Sequence, residues 1–428
     1  MRPRIAALPS LLLCVFLPAC DAATELVLPP RPESPREQYR EALRSAGLDR
    51  TALGLDWVRA GDLALRTPVP IDLPHRETAY FPADSALALG YRLRGLRGRR
   101  ITVGLTVSGI ARTRVFADLY RASPDTADAP RLVATLDAVA TTFSWEPRRD
   151  TDFIIRVQPE LLRSGSVTVE VRSEPALAFP VEGRSWGAVQ SGFGDPRDAG
   201  ARAHHGVDIF APRGTPTVAA ATGRVTRVRD TPRGGKVVWL RDEVRAMSLY
   251  YAHLDSQTVS SGDRVQPGDT VGFVGNTGNA RTTPPHLHFG IYRRGEGPSD
   301  PGPWLRVWEP AVAEVTADTS ALGALMRVAP SSARLTALGG SEAAEAPPID
   351  VPARTVLRVL AASGDSYRVT LPDGGTGYVR ARDLESTREP VDRADLTGVA
   401  LRGVAGLLTG DRPRSPIVLD ARGPRVPL

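Results

Sequence analysis

The hydrophobic pattern changes period along the chain. Between 34 and 66 apolar residues recur at helical spacing, as Tyr39, Leu43 and Leu48, then Leu53, Trp57 and Leu63. Ser34-Pro35-Arg36-Glu37 reads as a capping box with proline at the first helical position, and Gly47 as the stop of that helix. A second helix is predicted over 50–65. From about 70 to 175 the period becomes two. Ile101 to Val107, Val115 to Leu119, Phe153 to Val157 and Ser166 to Val171 alternate between Gly, Pro and Asp signals, which predicts a β-sandwich of roughly 100 residues. Alternation returns at Val356 to Leu360 and Ser366 to Leu371, followed by the turn Asp373-Gly374-Gly375 and a strand from Gly377. The class is therefore mainly β and multidomain. Its expected parts are a signal at 1–20, a linker at 21–33, a helical segment at 34–66 and a β-sandwich at 67–176. A domain carrying the chemistry follows at 177–315, then a small β module at 320–387 and an irregular tail at 388–428.

Composition adds to this picture at two points. The 40 glycines and 38 prolines, with only 6% aromatics, suit turn-rich β structure over 428 residues, too long for one ordinary core. The formal charge is +6, and Lys236 is the one lysine among 54 basic residues. A cationic chain is drawn to anionic envelope polymers such as peptidoglycan. No basic run or nucleic-acid motif accompanies the charge, so no nucleic-acid partner is expected.

The N-terminus is an export signal by pattern, with Arg2 and Arg4 ahead of an apolar stretch from Ile5 to Leu17. That stretch is shorter than the about 20 residues of a spanning helix. Leu17-Pro18-Ala19-Cys20 resembles the lipobox of bacterial lipoproteins, with Pro18 a departure from the usual pattern. The resemblance implies lipidation of Cys20, a membrane anchor and an envelope location; ordinary cleavage near Ala22 or Ala23 is the alternative. Cys14 and Cys20 are the two cysteines, so the mature chain has no internal disulfide and relies on its cores and any bound metal.

Five of the six histidines fall between 204 and 288. In His204-His205-Gly206-Val207-Asp208-Ile209, an extended backbone puts His204, Gly206 and Asp208 on one face, with Val207 and Ile209 toward a core. In Pro284-Pro285-His286-Leu287-His288-Phe289 the same alternation pairs His286 with His288. His253 lies between these groups, near the end of the apolar run from Met247 to Leu254. A catalytic zinc site takes three nitrogen or carboxylate ligands and leaves the fourth position open. His204, Asp208 and His288 supply such a set for Zn2+, with His286 and His253 in reach as proton carriers. His205 is the rival first ligand, on the opposite face; it and His75 read as structural.

These motifs resemble the lysostaphin-type, or LytM-type, zinc endopeptidases, which carry H-x-x-x-D, a Y-x-H-L-type motif and H-x-H. Here those are His204 to Asp208, Tyr251 to Leu254, and His286 to His288. Ser191-Gly192-Phe193-Gly194, Arg202, Ala211-Pro212-Arg213-Gly214 and Gly275-Asn276-Thr277-Gly278 accompany them, so the resemblance spans roughly 130 residues. It implies His204, Asp208 and His288 as zinc ligands, and His286 and His253 as the catalytic pair. The implied fold is an antiparallel β-sheet with an open cleft. The segment 320–387 resembles a bacterial SH3-like small barrel, and 152–171 resembles the closing strands of jelly-roll accessory domains. The expected function is zinc-dependent hydrolysis of peptide bonds in peptidoglycan, in cross-link or stem peptide. The alternative is a non-catalytic envelope scaffold or hydrolase activator that binds wall through the cleft and the SH3-like module.

Overall fold

The computed structural model describes residues 34–387, apart from 110–112, 124, 126–127, 137–140, 198–199, 308–310, 330, 337–347 and 373. The signal with Cys20, the linker 21–33 and the tail 388–428 lie outside the described residues. Two helices come first, Pro35–Ser45 and Ala52–Arg66. Gly47, at φ +70°, ends the first, a left-handed position that glycine takes without strain. The predicted capping box is only half made. The Ser34 hydroxyl accepts from the Arg36 amide at 3.2 Å, but Glu37 turns to Arg36 and to the buried Arg156 instead. Charge pairing draws Glu37 from the cap because the Arg36 guanidinium, 2.7 Å away, is buried and the carboxylate offsets part of its desolvation.

Two antiparallel-rich sheets then pack face to face around Phe81, Tyr91, Val103, Leu119, Ile155 and Val169. The strands Val115–Arg121 and Thr151–Pro159 are buried on both faces, because the helices lay Tyr39, Leu43 and Trp57 against Phe116 on the outer one. The polar residues of that outer face are buried with partners. Arg156 reaches Asp118 at 2.6 Å, and Gln158 joins Arg36 at 2.6 Å and the Trp57 carbonyl at 2.7 Å.

The C-terminal module has its own core of Val328, Leu335, Val351, Val359, Val369 and Val379. Its strand Val356–Ser363 also pairs with His75–Phe81 of the sandwich, Thr78 opposite Ala362 and Ala79 opposite Ala361. The two modules thus share one sheet. Glu77, fully buried at this seam, accepts from Tyr91 at 2.9 Å, from Tyr378, and from Arg368 at 3.4 Å. Burial alone would raise its carboxyl, yet Arg368, His75 and Tyr378 outweigh that and hold it at about 2.

Between these modules in sequence runs the antiparallel sheet that carries the histidines. Its order is Val189–Ser191, Val207–Phe210, His286–Arg293, Met247–Leu254, Gly235–Asp242, Gly223–Thr231 and Arg264–Val265. The register sets Val207 opposite Phe289, Asp208 opposite His288 and Ala252 opposite His288. Val207, Ile209, Leu249, Tyr251, Leu287, Phe289 and Ile291 consequently fall on one face and form the core, closed from behind by Val271 of a smaller sheet and by Ala219 to Ala221. The opposite face is left open as a cleft.

Candidate metal centre

Strand pairing brings Asp208 and His288 together from positions 80 residues apart. Asp208 Oδ1 stands 3.0 Å from His288 Nδ1 and 3.0 Å from His204 Nε2, and the two imidazole nitrogens are 2.9 Å apart. This near-equilateral triangle of ligand-type atoms suits one cation; tetrahedral zinc, bonded at about 2.0–2.1 Å, separates its ligands by roughly 3.3 Å. Among the described residues it is the group of histidine and carboxylate atoms placed to hold a metal.

His204 does not reach the site by strand alternation. The strand starts at Val207, and residues 204–206 approach it as irregular backbone. The Gly192 carbonyl, 2.7 Å from His204 Nδ1, fixes the ring instead, and because a carbonyl only accepts, Nδ1 carries the hydrogen and Nε2 faces the site. Gly206 makes room for this approach: a β-carbon there would lie 2.5 Å from the Phe289 carbonyl oxygen and 2.9 Å from the His288 ring. His205 is exposed at the mouth of the cleft, off the triangle.

His286 and His253 enter differently. His286 follows the alternation, with Nδ1 2.9 Å from the Pro284 carbonyl and Nε2 4.0 Å from Asp208 Oδ1. By the same alternation His253 would share the core face of Leu249 and Tyr251. Its backbone instead takes φ +64°, a left-handed conformation costing a non-glycine residue about 1–3 kcal/mol. That turn swings the imidazole into the cleft, with ring centroids 5.1 Å from His286 and 5.9 Å from His288. Its Nδ1 lies 2.9 Å from the Thr277 carbonyl, so Nε2 is the free nitrogen here too.

Electrostatics suit a metal. Burial pushes the Asp208 carboxyl up, but the His204 and His288 imidazoles set against it outweigh that and hold it well below the usual carboxylate range. Burial, followed by the neighbouring His286 and His288, lowers His253 to about 4; burial also lowers His288. For Asp208 and His288 both shifts run toward the proton-free form that metal binding requires.

Sequence reasoning missed Arg197. Its guanidinium binds Asp208 Oδ2 at 2.7 Å and Ser191 Oγ at 2.6 Å, which turns Oδ1 toward the imidazoles. One arginine among so many has no spacing signal to single it out. It also missed the aromatic wall, where Trp239 packs on Tyr250 at 4.4 Å and on Tyr292 at 5.1 Å. That wall was accessible in principle, since Tyr292 shares parity with His286 and His288.

Comparison with known proteins bears on the same stretch. Residues 202–301 match the model of peptidase family M23. The L-Ala--D-Glu endopeptidase of Bacillus subtilis is 37% identical over 143 residues, 31% of this chain and 44% of that protein. The peptidoglycan DD-endopeptidase ShyC of Vibrio cholerae is 40% identical over 88 residues, 21% of this chain and 20% of that protein. The chain spans less than half the length of either relative. Among solved structures, the catalytic domain of lysostaphin from Staphylococcus simulans is 31% identical, covering 26% of this chain and 87% of that one, with a TM-score of 0.25. The stretch that matches the family model holds His204, Asp208, His253, His286 and His288, and the chain contains a metallopeptidase domain of peptidase family M23.

Proposed function

We propose that this chain is an exported, zinc-dependent endopeptidase that hydrolyses peptide bonds of bacterial peptidoglycan, held at the membrane through lipidated Cys20. The observation that carries the reading is the triangle of His204 Nε2, Asp208 Oδ1 and His288 Nδ1 on the floor of an open cleft, with two more imidazoles directed into it. In this reading those three residues hold the zinc. The metal, when bound, polarises the scissile carbonyl and makes water acidic enough to act as nucleophile near neutral pH. The chain's own residues do the rest. With Nδ1 of His253 and His286 donating to the Thr277 and Pro284 carbonyls, each Nε2 is a free acceptor at the cleft. Either can take the proton of the attacking water and return it to the departing amine. Arg197 keeps the Asp208 carboxylate turned so that one oxygen serves the site.

The test is digestion of purified sacculi by the zinc-loaded chain, with product analysis, beside His288→Ala. Release of peptide fragments by the wild type and its loss in the variant is the expected result; equal activity in the variant overturns the zinc assignment. Metal analysis separates the enzyme from a non-catalytic scaffold, about one zinc per chain for the former and none for the latter.

A further inference from the structure

The residues lining the cleft include three arginines, Arg197, Arg202 and Arg233, and a single carboxylate, Asp208. Asp208 is already bound by Arg197 and two histidines, so it is not available to the Arg233 guanidinium on the other side of the cleft. Arg197 and Arg202 come from the hairpin beside the Val189–Ser191 edge of the sheet. Arg233 comes from the other side, in the turn between Gly223–Thr231 and Gly235–Asp242.

That turn is built to a fixed shape. The Arg233 carbonyl accepts from the Asn279 amide at 3.0 Å, the Gly234 carbonyl accepts from the His253 amide at 2.8 Å, and the Gly234 amide donates to Thr231 Oγ1 at 3.1 Å. Its two glycines are obligatory: a β-carbon on Gly234 would strike the Tyr250 hydroxyl, and one on Gly235, at φ +63°, would strike Thr277. The backbone of Arg233 is therefore clamped one residue from the group that fixes His253. Its side chain is exposed, and among the described residues no carboxylate or hydrogen-bond acceptor holds the guanidinium. It stands close enough to Tyr250 for its charge to oppose the rise that burial imposes on that phenol. An arginine on a loose surface loop would be an ordinary solvated charge. Here the loop is rigid, and the charge sits at the lip of the cleft beside the Trp239, Tyr250 and Tyr292 wall.

We propose that Arg233 is a specificity determinant that binds a free carboxylate on the substrate within a residue or two of the scissile bond, so that the cleft selects acidic peptides over neutral ones such as all-glycine chains. The inference rests on the endopeptidase reading and deepens it. Arginine suits the task because its planar fork matches a carboxylate with two parallel N–H donors. A charge-assisted hydrogen bond of this kind discriminates by roughly ten- to a hundredfold.

The experiment uses the full zinc-loaded chain and two synthetic peptides of one sequence. They differ only in bearing a side-chain carboxylate or the matching carboxamide next to the cleaved bond. The wild type should favour the carboxylate peptide by about ten- to a hundredfold in kcat/KM. Arg233→Gln should bring that ratio close to one, and Arg233→Lys should restore part of it. A wild-type ratio near one, or an Arg233→Gln ratio equal to the wild type's, overturns the inference while leaving the endopeptidase reading intact. If the folded, zinc-loaded wild type cleaves neither peptide nor sacculi, the endopeptidase reading fails and the inference falls with it.

Discussion

Gly206→Ala isolates the contribution of one missing methyl group to the site. Gly206 does not occupy the left-handed region, so alanine is allowed there by its backbone, and any effect comes from the β-carbon alone. That carbon would meet the Phe289 carbonyl oxygen at 2.5 Å and the His288 Cε1 and Nε2 atoms at 2.9 Å. Relieving 2.5 Å to an ordinary separation of about 3.2 Å requires a movement of roughly 0.7 Å. The carbonyl belongs to the central strand of the sheet, paired on both sides, and cannot move cheaply. His288 and the 204–206 segment must yield instead. Overpacking of this kind costs about 1–3 kcal/mol in stability. The larger effect should be on the triangle, since a displacement approaching 1 Å in a catalytic group can cost on the order of a hundredfold in rate. Zinc titration against a competing chelator, thermal unfolding and sacculus digestion would be measured on Gly206→Ala and on His205→Ala. The exposed neighbour should change little. If Gly206→Ala binds zinc and cleaves within twofold of the wild type, the site is softer than these contacts allow, and the steric reasoning is wrong.

Removing Arg197 as Arg197→Ala should weaken zinc binding by about 10–100-fold, the usual effect of losing a group that orients a ligand, and added zinc should recover most of the rate; unchanged affinity would show that Asp208 needs no such support. His253→Asn retains a residue that tolerates the left-handed backbone while deleting the imidazole, so melting should hold while kcat falls by about 10²–10⁴-fold; a rate within threefold of wild type would remove His253 from the chemistry. Glu77 is held at about 2 against 4.5 for a free glutamate, so it contributes about 3 kcal/mol that is fully present above pH 4.5 and lost as pH falls toward 2. Denaturant unfolding at pH 7, 4 and 3 should therefore show a shallower acid loss in Glu77→Gln than in the wild type, and identical slopes would contradict the pairing at the seam. Cys20→Ser should release the chain from the membrane fraction, whereas continued membrane association would count against lipid anchoring there.

A period of two was enough to read much of the floor of the cleft from the chain. Val207, Ile209, Leu287 and Phe289 had to face a core, which left Asp208, His286 and His288 no direction but outward. The scarcity and clustering of histidine, and the absence of cysteine beyond position 20, already pointed to a nitrogen and carboxylate ligand set. Local pattern could go no further, because the remaining features arise from contacts between distant segments. The register that sets Asp208 against His288 is a property of two strands in a sheet. His204 is placed by the Gly192 carbonyl, not by alternation, and His253 reaches the cleft only because tertiary contacts hold it in a conformation that its own sequence disfavours. Arg197 gains its meaning from the one carboxylate it meets. The joining of the C-terminal strands to the His75–Phe81 strand was equally illegible, since an unpaired edge accepts a partner by backbone hydrogen bonds that carry almost no side-chain signature. Residue types and their period thus determined which chemistry the chain could support, while the folded sheet decided which atoms meet to perform it.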